Sequence, residues 1–80
     1  MSSNVLAIIG AAIRSAREAA RLSQEELAHR AGLHRTYIGG VERGERNLGA
    51  KNLVEIARAL EVPPHELLRG LDSYADRKRK

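Results

Sequence analysis

The sequence predicts an all-α protein, a bundle of five helices with no sheet. Three observations carry that prediction. Apolar residues recur at steps of three and four along most of the chain, which is the spacing of one helical face. Helix-starting and helix-stopping residues punctuate it at short intervals. No segment combines strand alternation with turn signals. At 80 residues the chain makes one small domain. It has no Phe and no Trp, so its core is aliphatic. Domains this small bury a modest share of their surface and are often helped by self-association.

Residues 1–4 are polar, and Ser3 or Asn4 is able to cap the first helix, predicted over residues 5–21. Val5, Ile9, Ile13, Ala16 and Ala20 share one face of it. Gly10 weakens this helix by roughly 1 kcal/mol against Ala if it is exposed. Arg14, Arg17, Glu18 and Arg21 decorate the outer faces. Ser23 is a good N-cap for the second helix, and Glu26 completes a capping box. Gln24, Glu25 and Glu26 fill its first turn, where negative charge suits the helix dipole. Leu27, Ala28 and Ala31 form its apolar face, and Gly32 stops it. Leu33 is expected as a buried plug in the turn. The third helix begins near His34 and runs to Arg43, with Ile38 and Val41 facing inward and Gly44 as the stop.

Residues 45–49 read as a loop by their Gly and Asn content. The fourth helix covers residues 50–60, with Leu53, Ile56, Ala57 and Leu60 as its stripe. Val62-Pro63-Pro64 breaks the chain, and Pro64 opens a fifth helix over residues 64–68 or slightly beyond. The domain is placed at residues 1–71, and residues 72–80 are expected to be a basic, disordered tail.

The charge is unevenly placed. The net charge is +4, and Arg77, Lys78, Arg79 and Lys80 hold all of it. Without them the chain has ten basic and ten acidic residues, so any case for nucleic acid rests on local placement. The tail resembles a localisation signal by composition only; a solvated tail or a non-specific DNA tether fits as well. The absence of cysteine excludes disulfides and thiolate metal sites and fits a reducing cytoplasm. The longest apolar run, Val5 to Ile9, is far short of the ~20 residues that span a bilayer, so no membrane association is expected.

The second and third helices are too short to stand alone. Their spacing suits a helix-turn-helix that lays its second helix in the DNA major groove. Arg35, in the first turn of that helix, can pair with guanine O6 and N7 through both arms of its guanidinium. Thr36 can touch a thymine methyl or a phosphate. Arg46 and Asn47, in the loop that follows, can reach the backbone or the groove edge, and Arg46 can alternatively pair with Glu42 or Glu45. Tyr37 can bind a phosphate through its phenol or pack on the core. Ser23 and Gln24, beside the free amides of the second helix, suit a phosphate. Arg43, Lys51 and Asn52 are phosphate candidates by location, and ordinary surface residues otherwise. Leu67, Leu68 and Leu71 either form a dimer interface or close the core.

With SQEELAHRAGL preceded by Arg17, then Tyr37-Ile38 to Val41-Glu42-Arg43-Gly44, then LVEIARALEVPPHELL, the chain resembles the Cro/C1-type helix-turn-helix family, also called the XRE family. RTYIGGVERGERNLGAKNL is similar in particular to the controller proteins of restriction-modification systems. The resemblance implies a lambda-repressor-like five-helix DNA-binding domain and sequence-specific binding of a palindromic operator by a homodimer. It implies a phosphate clamp at Gln24, base contacts at Arg35 and Thr36, and a structural Arg17–Glu42 pair tying the third helix to the first. The chain departs from the pattern in two respects. Gly39 and Gly40 replace side chains, the second at a position that often reads a base. Gly49 replaces a Ser or Thr cap. The two glycines leave part of the specificity to DNA shape.

No catalytic constellation appears, and no enzyme, cofactor, metal or small-molecule ligand is expected. His29, His34 and His65 lack metal-ligand spacing, and Glu25 and Glu26 face different directions on one helix. The rival class is an antitoxin-like protein-interaction module that uses the same bundle to mask a partner protein.

Overall fold

A computed structural model describes residues 4–78, with side chains through residue 76. The chain is all helical over these residues: α1 Asn4–Ala19, α2 Gln24–Ala31, α3 Arg35–Glu42, α4 Ala50–Leu60, α5 Pro64–Leu68 and α6 Leu71–Lys78. The fourth and fifth helices have the bounds that their periodicity and the Pro63-Pro64 break predict. The core is aliphatic as expected. Ile13, Leu27, Ile38 and Ile56 are fully inaccessible, and Val41, Ala57, Leu60 and Leu67 close around them.

The helix count is six where the sequence reading expects five. Much of the stretch expected as a disordered tail is α6. Its start is held by Leu71, which packs against the core cluster, and by a half-buried Tyr74 one turn later. Of the two residues able to cap the first helix, Asn4 is the first residue of α1 and Ser3 lies outside the described residues, as do the side chains of the basic run 77–80.

The first helix ends two residues early, at Ala19, because Arg21 adopts a left-handed backbone (φ 60°). That turn swings Leu22 inward, where it is buried, and its N–H bonds the Arg17 carbonyl at 3.1 Å. Ala20, expected on the apolar face, is exposed at the turn. The third helix is one residue shorter at each end than expected: His34 is its N-cap and Arg43 its C-cap. The turn between α2 and α3 is as read. Ser23 Oγ accepts from the Glu26 N–H at 2.9 Å, and the Glu26 carboxylate accepts from the Ser23 N–H at 2.8 Å. Gly32 takes φ 72°, and Leu33 N–H reaches back to the Ala28 carbonyl at 2.9 Å. Leu33 is half-buried rather than a full plug.

Gly10 corrects the sequence reading most. It is buried, and its missing side chain is what lets α1 cross α3. A Cβ there would collide with the Val41 carbonyl oxygen and stand 2.8 Å from that of Glu42. Both obstacles are backbone, so neither can swing aside.

Beside this crossing lies the pair that the resemblance implies. Arg17 Nε donates to Glu42 Oε2 at 2.6 Å and Arg17 Nη2 to Oε1 at 3.0 Å. Arg17 Nη1 donates to the Leu22 carbonyl at 2.8 Å. The Glu42 side chain is 2% exposed. The hydrogen bond to Glu42, opposed by partial burial, raises the Arg17 pKa further above its already high value. Arg17 is therefore charged at any physiological pH.

Three outcomes follow from these contacts. Gly10→Ala gains about 1 kcal/mol of helix propensity but overpacks two carbonyls. The net effect is a loss of about 2 kcal/mol, read as a lower urea midpoint at unchanged slope. Arg17→Met strands a buried carboxylate and costs about 3–5 kcal/mol, whereas Arg17→Met with Glu42→Leu recovers most of that loss. Finally, the Ser23 backbone and side-chain hydrogen bonds hold the Glu26 carboxyl below its ordinary 4.5. A depressed folded pKa means a contribution present above the unfolded value and lost as pH falls through the folded one. The stability advantage of the wild type over Glu26→Gln therefore shrinks as pH is lowered from about 4.5, in parallel denaturation curves.

Candidate nucleic-acid interface

The start of α2 and the first turn of α3 border one depression, and the loop from residue 45 to 49 is tied to α3 through Tyr37. Arg35 and Thr36 stand exposed in the first turn of α3 and have no hydrogen bond or ion pair among the described residues. Their side chains are free to meet a partner. Lys51, in the first turn of α4, is likewise exposed and unpaired there. Arg17, Ser23, Gln24, Glu25 and Arg35 line a shallow depression of about 360 Å³ between the starts of α2 and α3. Gln24 and Glu25, which begin α2, line it, and the unpaired amides of a helix start suit an anion.

The other candidate residues are tied into the protein first. Gln24 Nε2 donates to Glu42 Oε1 at 3.0 Å. One amide hydrogen is thereby committed inward and the second remains for another acceptor. Ser23 Oγ accepts in the capping box, and its own hydrogen is free to turn outward. The Tyr37 hydroxyl donates to the Asn47 carbonyl at 3.1 Å and accepts from Asn52 Nδ2 at 3.2 Å. Tyr37 and Asn52, both read as phosphate candidates, thus serve to fasten the loop and α4 to α3. Arg43 Nε donates to Glu45 Oε1 at 3.0 Å, on the surface, an arrangement that a phosphate can readily displace.

Arg46 pairs with neither Glu42 nor Glu45. Its guanidinium carbon lies 5.4 Å from the centroid of the Tyr37 ring, within cation–π range. Asn47 Oδ1 accepts from the Leu48 N–H at 3.1 Å and so rounds the loop. Sequence reasoning missed this internal fastening. The only signal for it was the co-occurrence of Tyr37, Asn47 and Asn52, and their spacing of ten and fifteen residues has no local meaning.

Leu67 takes the core role of the two that the sequence left open: it is 2% exposed and belongs to the central cluster. It is not available to a second subunit. Leu68 and Leu71 are half-buried. Val54, on α4, is the large apolar side chain left exposed among the described residues, at 44%. No three His, Asp or Glu side chains among the described residues come together to hold a metal ion. Among the described residues no helix is long and apolar enough to cross a membrane.

Comparison with known proteins places this geometry. Residues 13–67 match a family model described as helix-turn-helix. The control protein C.BamHI of Bacillus amyloliquefaciens is 42% identical over 69 residues, covering 85% of each chain. The control protein C.SmaI of Serratia marcescens is 49% identical over 61 residues, 76% of this chain and 73% of that one. The crystal structure of the restriction-modification controller protein C.AhdI from Aeromonas hydrophila superposes with a TM-score of 0.77 at 48% identity, covering 78% of this chain and 94% of that one. C.Esp1396I, in a structure bound to a 19 base pair DNA duplex, superposes with a TM-score of 0.79 at 37% identity over 89% of this chain and 95% of that one. The chain belongs to the helix-turn-helix family of the Cro/C1, or XRE, type, and within it is similar to the controller proteins of restriction-modification systems.

Proposed function

We propose that this protein is a cytoplasmic transcriptional regulator that binds a palindromic operator as a homodimer, in the manner of an autoregulatory controller protein, and is not an enzyme. The observation that carries the reading is the recognition helix itself. It presents Arg35 and Thr36 exposed and unpaired, on a scaffold where Gln24, Tyr37, Asn47 and Asn52 nearby are fastened to the protein. A protein-masking module has no need of an arginine held free at that position. Likeness to a controller protein solved on a DNA duplex supports the same reading.

In this arrangement α3 enters the major groove. Arg35 meets a guanine edge and Thr36 a neighbouring base or phosphate. Ser23, Gln24, Arg43, Lys51 and the first amides of α2 meet the phosphates that flank the groove and set register. Arg46 and Asn47 supply the loop side of the readout. Two subunits place two copies of α3 about 34 Å apart on one face of the duplex. The exposed Val54 favours α4 as part of the surface where the subunits meet, with Leu68 and Leu71 as further apolar contributors. Their burial would add to a core that an 80-residue chain can make only small.

The test is selection of bound duplexes from a random library at about 150 mM salt, where weak backbone binding is suppressed. The wild type is expected to enrich a palindrome with a guanine in each half-site. Arg35→Ala keeps its fold and loses roughly 1–3 kcal/mol of discrimination at that guanine. Failure of the wild type to enrich any sequence, together with capture of a stable protein partner, would replace this reading with the masking module.

A further inference from the structure

The second turn of α3 has no side chains of its own at residues 39 and 40, yet both glycines are buried. What covers Gly40 is Arg46. A Cβ placed on Gly40 would collide with Arg46 Cγ and stand 3.3 Å from Cδ and 3.5 Å from Cβ. These atoms are the root of the side chain, not its flexible end. The chain is brought back to this spot by the backbone: Gly44 turns at φ 75°, and Glu45 N–H bonds the Gly40 carbonyl at 2.8 Å. Beyond the stem the guanidinium lies against the Tyr37 ring. That ring is itself pinned at its hydroxyl by Asn47 and Asn52.

We propose that Gly40 is a specificity-determining position that acts through Arg46. Its missing side chain is the seat for the Arg46 stem, so the second turn of the recognition helix presents an arginine supplied by the loop. Gly40 touches no base; it is a positioning residue. The ligand is duplex DNA, and the feature read is a base edge rich in acceptors, as guanine is in the major groove. A side chain at residue 40 lifts the stem away, separates the guanidinium from Tyr37 and leaves the reading arm unfixed. The DNA consequence rests on the operator-binding reading above; the packing on which it depends does not.

The experiment therefore has two arms on the same four full-length proteins: wild type, Gly40→Ala, Arg46→Ala and the double variant. The first is thermal unfolding without DNA. Truncating Arg46 removes Cγ and Cδ and leaves ordinary contact for a new Cβ. Gly40→Ala is then expected to raise Tm in the Arg46→Ala background, because Ala is the better helix former, and to fail to raise it in the wild type. Equal shifts in both backgrounds overturn the proposal. Should Gly40→Ala alone not fold, rescue by Arg46→Ala supports the seat and failure of rescue overturns it.

The second arm is duplex selection. Arg46→Ala is expected to lose preference at particular base pairs, and Gly40→Ala to lose on the order of tenfold at those same pairs, with no further loss in the double variant. Retention by Gly40→Ala of every preference that Arg46→Ala loses overturns the proposal while leaving operator binding intact. A wild type that selects no sequence overturns both.

Discussion

The placement of α3 depends on how closely α1 can approach it. Hydrophobic burial brings the helices together but sets no direction. Gly10 sets the distance, because two backbone carbonyls of α3 occupy the place of its side chain. The Arg17–Glu42 fork sets the angle, because two parallel charge-assisted hydrogen bonds tolerate little rotation. Gln24 joins the same carboxylate from α2. One buried glutamate at the end of the recognition helix thus holds three helices in register. Its energetic contribution over an apolar filling is small, since desolvation offsets most of the attraction. Its geometric contribution is the one an apolar filling lacks.

The same economy appears among the polar residues of the binding face. Gln24 and Ser23 each commit one hydrogen-bonding capacity to the protein, and Tyr37 commits two, before any ligand arrives. Such groups lose little rotational freedom on binding, which is where a preorganised surface gains over a loose one. Arg35, Thr36 and Lys51 are the opposite case. They are unrestrained, and the entropy they lose must be offset by the contact made. In the proposed reading such a face has a fixed frame and a few adaptable arms, Arg35 and Thr36 toward the bases and Lys51 toward a phosphate.

Much of this was legible in the sequence because its signals are local. The capping box at Ser23 and Glu26, the stop at Gly32 and the stripe from Leu53 to Leu60 are each written within a turn or two of the helix they govern. The Arg17–Glu42 pair was legible only through the family resemblance, since its partners lie 25 residues apart. What escaped is what depends on neighbours distant in sequence. Gly10 looks like a weak spot in an exposed helix until α3 is laid across it. Arg21 has no composition that announces a left-handed turn, and a lone leucine at 71 does not reveal that α1 will offer it a surface. Leu67 could not be assigned between core and interface by spacing, because both roles require the same apolar face.

The two glycines of the recognition helix carry the further lesson that an absent side chain is itself a structural statement. Read along the chain, Gly39 and Gly40 subtract from a reading surface. Read in space, they make room for it. A Cβ at Gly39 would stand 3.2 Å from Arg43 Nη1, and one at Gly40 would meet the Arg46 stem, so each glycine lies under an arginine that arrives from further along. An arm rooted in a loop can be exchanged without disturbing the helix beneath it. A helix residue must satisfy helical packing as well as the groove. On the proposed reading, the vacated second turn leaves that part of base reading to a segment under fewer constraints, while the Gly10 crossing and the Glu42 carboxylate keep the helix itself where it is.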